Sequence, residues 1–288
     1  MAKERCTCTS CKNTFDKAIM IRVEKNNRGG RGSYLCRDCN RIIYGYTTEN
    51  NEWRGADPKH PNTFGLEFET TYSNTKARSE LFEYGMLPTY DSTVDVEYKS
   101  CIERNLKSFS HLFKVCDKLI ANGDLEVGDT AGTHFHVGHN NLNWETIGYI
   151  RRFYHSLFIP LSDAMKANPE KTAELFGRGI DQCNSQGNCW AQSVHEWTSA
   201  TNHTNFINVQ HDNTLEFRMA KFQNSKQYMR MAKFATKCTN IVMTNFVEHF
   251  NDEIKDTKRY PTKKAYRKHK ADMTAGKLVK AFMDEINR

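Results

Sequence analysis

The chain lacks any apolar run approaching the roughly 18 consecutive residues that a membrane helix needs, which argues against a spanning segment. It also lacks an apolar start: Met1 to Cys11 is charged and carries cysteine, so no export signal is expected there. No internal repeat stands out, and a repeat array is not expected. With 288 residues there is ample length for a real core, in one large domain or two unequal ones. Cysteine, by contrast, is plentiful. Five of the ten crowd into the first 39 residues with metal-like spacing while the others scatter, a pattern that suits a reducing cytoplasm better than an oxidised scaffold. The protein is therefore expected to be cytoplasmic, with no membrane partner.

Charge is unevenly placed. Residues 1–54 hold 11 Lys/Arg against 6 Asp/Glu, and residues 255–270 hold 8 against 1, so the body between and beyond them is acidic although the whole chain is +7. An acidic body with basic ends suits a catalytic or binding core with appendages that face polyanions, and it equally suits ends whose charge is merely solvated. Nucleic acid is thus an open partner for the two ends.

Near the start, Cys8-x-x-Cys11 and Cys36-x-x-Cys39 flank a hairpin-like insert with an alternating run, Ala18 to Val23, and a turn at Asn26 to Gly32. Four thiolates held by two such knuckles match tetrahedral zinc, so residues 1–45 read as a zinc ribbon with a structural Zn²⁺ on Cys8, Cys11, Cys36 and Cys39. Cys6 is a spare, or a competitor of Cys8. Residues 46–62 are polar, with Pro58 and Pro61, and read as a linker.

Farther on, helical stripes are expected over Leu106–Ile120, Trp144–Met165 with a kink at Pro160, Met229–Phe250 and Ala275–Ile286, and a short helical piece over Glu80–Tyr84. Residues 167–202 read as irregular, a lid or binding segment. Three separated stretches place paired polar side chains at strand spacing within apolar runs: Glu67 and Glu69, His134 and His136, Glu216 and Arg218. Alternation sends each pair to one side while Leu66, Phe68, Phe135, Val137, Leu215, Phe217 and Met219 go to the other. A fourth alternation, Val94-Asp95-Val96-Glu97-Tyr98, adds carboxylates, and Phe206–Val209 forms a hairpin-like pair with Leu215–Met219. On one sheet these strands would gather carboxylates, imidazoles and a guanidinium. Carboxylates select hard cations such as Mg²⁺, and an added imidazole favours Mn²⁺.

The ordered set Phe64-Gly65-Leu66-Glu67-Phe68-Glu69, Asp91-Ser92 leading to Glu97, Ala131-Gly132-Thr133-His134-Phe135-His136-Val137, then Asn208 and Thr214-Leu215-Glu216-Phe217-Arg218 resembles the amidoligase family, itself similar to glutamine synthetase and glutamate–cysteine ligase. The second motif departs from the family pattern, because Asp91 and Ser92 adjoin with no glycine between them. The resemblance implies an α+β fold, a curved antiparallel sheet backed by helices, over a catalytic domain at 63–252, with 253–288 a basic extension ending in a helix. It implies an ATP-dependent carboxylate–amine ligase that makes an amide or isopeptide bond through an acyl phosphate, with ATP and two or three Mg²⁺ or Mn²⁺ ions as cofactors. Its partners would be a carboxylate donor and an amine acceptor, amino acid or peptide. Carried over by position, Glu67, His134 and Glu216 would hold one metal and Glu69 and Glu97 another. His136 would lie near the nucleotide phosphates, Arg218 would steady the transferring phosphoryl group, Asn208 would shape the substrate side, and Arg178 would also serve the nucleotide. Two other readings compete: a metal-dependent nuclease or hydrolase, and a zinc-ribbon adaptor without catalysis.

Overall fold

The computed structural model of the protein describes residues 5–8, 14–17, 21–23, 33–35, 61–84, 86–89, 94–100, 102–103, 105–129, 131–178, 206–209, 211, 213–254 and 258–288. Cys11, Cys36, Cys39, Asp91, Ser92 and nearly all of the linker and of the expected segment beyond Arg178 lie outside the described residues. Four short strands come first. β1 (Arg5–Thr7) pairs antiparallel with β2 (Thr14–Asp16), and β3 (Ile21–Val23) pairs with β4 (Ser33–Leu35). The second pair is the hairpin expected between the cysteine knuckles, and Cys8 is buried just after β1.

The main body runs β5 (Asn62–Thr70), β6 (Tyr72–Ser73), α1 (Thr75–Glu83), β7 (Met86–Thr89), β8 (Val96–Ser100), α2 (Ser108–Ala121), β9 (Leu125–Glu126), β10 (Thr133–His139), α3 (Trp144–Arg152), α4 (Tyr154–Lys166), α5 (Pro169–Phe176), β11 (Ile207–Asn208), β12 (Thr214–Phe217), α6 (Ser225–Val242), a π-helical turn (Met243–Val247) and α7 (Lys263–Ile286). Six of these strands form one antiparallel sheet in the order β11-β12-β10-β5-β8-β7. The fold is thus mixed α and β around an antiparallel sheet.

Register follows from the alternation. Pairing β10 with β5 sets Phe135 opposite Leu66 and Val137 opposite Phe64, so the apolar residues of both strands share one face. Helices α2 and α6 cover it. Phe109 meets Phe135 edge-on at 5.9 Å between ring centres, and Tyr228 meets Phe113 at 5.0 Å and Phe135 at 6.3 Å. Each fully buried ring of this kind contributes on the order of 1.5–3 kcal/mol over leaving it exposed. Tyr228 also donates its hydroxyl to the Thr133 carbonyl at 3.0 Å, tying α6 to the first residue of β10.

Helix ends carry local signals. Asn74, Asn143, Asn224 and Thr262 cap α1, α3, α6 and α7 with side-chain oxygens that accept backbone N–H groups. The long helix expected over Trp144–Met165 is in fact two. It breaks at Phe153, with φ −118° and ψ 18°, and runs unbroken through Pro160. The break aims the Phe153 ring at Phe246 and Phe250, at 5.6 and 6.0 Å, a tertiary contact that periodicity does not encode. Within the segment expected to be irregular, α5 forms with Pro169 in its first turn and ends on Gly177, whose φ of +77° suits glycine. Helix α7 starts twelve residues before the expected Ala275, so the basic stretch from Lys263 is helical. Its Leu278, Phe282 and Ile286 join the same buried cluster as the sheet, Phe282 lying 6.1 Å from Phe234 of α6. Strand β5 likewise begins at Asn62, the last residue of the expected linker, because its backbone pairs with His139.

Candidate metal centre

On the opposite face of the sheet, the register assembles the polar residues in cross-strand pairs. His134 faces Glu67, His136 faces Glu216, Asn208 faces Glu216, Glu69 faces Glu97, and Glu67 on its other side faces Lys99. Adjacent strands lie about 4.8 Å apart, so side chains in register and on one face come within contact range. Glu67, Glu97, His134, His136, Asn208 and Glu216 are all buried, Glu216 completely.

The contacts are close. His134 Nδ1 lies 3.2 Å from Glu67 Oε2 and 3.4 Å from Glu216 Oε1, while its Nε2 is 3.7 Å from Glu69 Oε1. His136 Nε2 sits 3.8 Å from Glu67 Oε1 and 3.9 Å from Glu216 Oε1, and its Nδ1 is 3.4 Å from the Thr214 hydroxyl. Arg218 donates to Glu216 Oε1 at 2.7 Å, and the Asn208 amide donates to Glu216 Oε2 at 2.6 Å. Glu69 accepts the backbone N–H of Gly132. A Cβ at Gly132 would come within 2.9 Å of His134 Nε2 and 3.2 Å of Glu69 Oε2, so any side chain there would push on both groups.

Of the residues singled out in the sequence, Glu67, Glu69, His134, His136, Glu216, Arg218 and Asn208 come together on this face, and Glu97 stands beside them, next to Glu67 and opposite Glu69. Arg178 is buried and donates to the Ala131 carbonyl in the segment entering β10. Two residues of the face were not foreseen. Lys99 Nζ lies 2.9 Å from Glu67 Oε1 and 3.3 Å from Glu97 Oε2, and was legible as the next same-face position after Glu97 in β8. His211 Nε2 lies 3.2 Å from Glu216 Oε2, and its ring centre is 5.3 Å from that of His136. His211 belongs to the connection between β11 and β12, where no periodic pattern marks it.

Electrostatics follow from this crowding. Burial pushes the Glu67 carboxyl up, but hydrogen bonds and charge from His134 and His136 outweigh it and hold it well below the ordinary carboxylate value. Glu216 is depressed in the same way: burial opposes, while His136, the His211 hydrogen bond, Arg218 and His134 prevail. Glu97 moves the other way, raised by burial and by the neighbouring Glu67 charge. Lys99 is raised, because Glu67 and Glu97 outweigh the burial that would lower it, and the Glu216 hydrogen bond raises His211. Glu67 and Glu216 thus favour the anionic form that a metal ligand needs.

The donor set suits a divalent cation. Among the described residues, two groups bring their ligand atoms within 4.8 Å of one another: Glu67, His134 and Glu216, and His136, His211 and Glu216. Mixed carboxylate and imidazole donors fit Mn²⁺ and zinc-like ions, and carboxylates alone fit Mg²⁺. Also among the described residues, no helix is long and apolar enough to cross a membrane. No protein-family model matches this chain, and no curated protein matches it.

Proposed function

We propose that the protein is an ATP-dependent carboxylate–amine ligase whose polar sheet face holds a divalent cation. The observation that carries this reading is the meeting of Glu67, His134 and Glu216 in one buried cluster, with Arg218 fixed beside it at 2.7 Å from Glu216. The likeness of the ordered motifs to the amidoligases and glutamine synthetase supplies the reaction class, and with it a glutamine synthetase-like form of the sheet. A bound cation would offset the repulsion among the carboxylates and bring positive charge to phosphate oxygens. Arg218, held by Glu216, would add a guanidinium to the transferring phosphoryl group. Asn208 would act through Glu216, keeping its carboxylate in one orientation. The overall change would be ATP, a carboxylate and an amine giving ADP, phosphate and an amide. Zn²⁺ on Cys8, Cys11, Cys36 and Cys39 would close the N-terminal ribbon, and cytoplasmic residence belongs to the same proposal.

Incubation with ATP, Mn²⁺ and mixed amino acids and polyamines tests the reaction. ADP should appear only when donor and acceptor are both present, and mass spectrometry should find the amide product. ADP release indifferent to donor and acceptor would overturn the reading. A second reading, a metal-dependent hydrolase or nuclease, draws support from His211, because a third imidazole beside His134 and His136 suits a water-activating transition metal. Cleavage of nucleic acid without ATP would favour it.

A further inference from the structure

The polar face already contains a fixed cation of its own. Lys99 Nζ bridges two acids on adjacent strands, 2.9 Å from Glu67 and 3.3 Å from Glu97. Its strand position directly opposite Glu67 leaves the side chain no need to reach, and its own side chain is only 20% exposed. Glu97 Oε2 is further engaged by the Thr89 hydroxyl at 2.9 Å, so the carboxylate is held with its oxygen toward the ammonium. Glu69, the other acid assigned by resemblance to a second metal, faces Glu97 across the strands but accepts the Gly132 N–H. Among the described residues, both three-donor groups compact enough for a metal contain Glu216, and neither contains Glu69 or Glu97.

Charge counting agrees. Glu67, Glu69, Glu97 and Glu216 bring four negative charges to the face, and Lys99 and Arg218 return two positive ones. Among the described residues, that leaves the carboxylates in excess, a net negative charge that one divalent ion suits. A second such ion between Glu69 and Glu97 would meet the ammonium at close range and would have to expel it.

We infer that Lys99 permanently takes the place of a second metal ion on this face, so that the protein binds one divalent cation there, on Glu67, His134 and Glu216, in place of two or three. The inference rests on the cation-binding half of the proposed function and is independent of which reaction follows. It makes Lys99 a determinant of metal stoichiometry. Arginine at this position would preserve the charge, whereas methionine would keep most of the bulk and remove it.

Titration of the whole 288-residue chain with Mn²⁺ alone, followed by the electron paramagnetic resonance signal of free Mn²⁺, counts the ions. Thiolates are soft ligands that bind Mn²⁺ poorly, so the cysteine-rich end should not contribute. One Mn²⁺ per chain is expected for the wild type and for Lys99→Arg, and two for Lys99→Met. Circular dichroism of each variant checks that it is folded, and the wild-type count decides even if Lys99→Met fails to fold. Two or more ions in the wild type, lost together in Glu67→Gln, would overturn this inference and leave the cation-binding reading standing. One ion in a folded Lys99→Met would overturn it as well. No Mn²⁺ at all in the wild type would overturn both.

Discussion

On one face of the central sheet, Leu66, Phe68, Phe135 and Phe217 are sealed beneath α2 and α6; on the other, one residue along in each strand, Glu67, His134 and Glu216 are sealed to nearly the same degree. The burial is similar and its energetic sign is opposite. Removing a phenyl ring from water stabilises the fold directly, whereas removing a carboxylate costs several kcal/mol before partners compensate. The polar face compensates with cross-strand imidazoles, an ammonium and a guanidinium, and for Glu67 and Glu216 these partners outweigh the burial that disfavours their charge.

The sharpest way to break the comparison is to empty the apolar side. Phe135→Ala should destabilise the protein by about 3–5 kcal/mol in urea unfolding, because the ring touches Phe64, Phe109 and Tyr228 at once. Where the variant folds, its Mn²⁺ count should be unchanged. If stability falls by under about 1 kcal/mol, this ring is not part of a tightly packed core.

A slightly smaller effect separates the faces in the other direction. Mn²⁺ at a hundred times its dissociation constant should raise wild-type stability by about 2.7 kcal/mol, read as an upward shift in Tm, and chelation should reverse it. Glu67→Gln should abolish the shift, since it takes a donor from the only described three-donor group that contains His134. A full shift in that variant would move the metal elsewhere.

The apolar side should reveal itself at high pH. Cys116 in α2 and Cys238 in α6 are completely buried, and burial pushes both thiols far above their ordinary value. A group raised in the folded state stabilises the fold below its unfolded pKa and loses that contribution as pH climbs toward the folded value. The unfolded thiols ionise near pH 8.5, so each should cost the fold about 1.4 kcal/mol by pH 9.5. Cys116→Ala with Cys238→Ala should flatten the alkaline decline, and iodoacetamide should label these thiols in the wild type only after unfolding.

The smallest effect probes the rim of the polar face. His211→Ala should leave Tm nearly unchanged, because the imidazole is half exposed, yet weaken Zn²⁺ or Mn²⁺ binding by about tenfold. Unchanged affinity for both ions would show that His211 is only a hydrogen-bond partner of Glu216.

Much of the polar face was legible because strands write it in period two. Glu67 with Glu69 and His134 with His136 needed only the alternation of neighbours to be assigned a common side. Lys99 obeys the same rule but lies one residue past Tyr98, where the alternation of valine and tyrosine with acids ends, although β8 continues to Ser100. His211 could not be found that way, since a connecting segment has no period and its approach to Glu216 depends on how the β11–β12 connection closes. The break at Phe153 and the helical form of the basic stretch from Lys263 were illegible for a related reason, being set by packing against Phe246, Phe250 and the α4 and α6 helices.

Backbone sterics act between near neighbours, and so the amino-acid order alone determined which side chains share a strand face and which helix stripes are apolar. Only the tertiary structure decided that β10 lies between β12 and β5, and that β8 presents Lys99 to Glu67. Strand order and register join residues that are 26 to 82 positions apart. Such pairings are selected by the burial of the whole apolar face, a cooperative quantity that no local stretch contains.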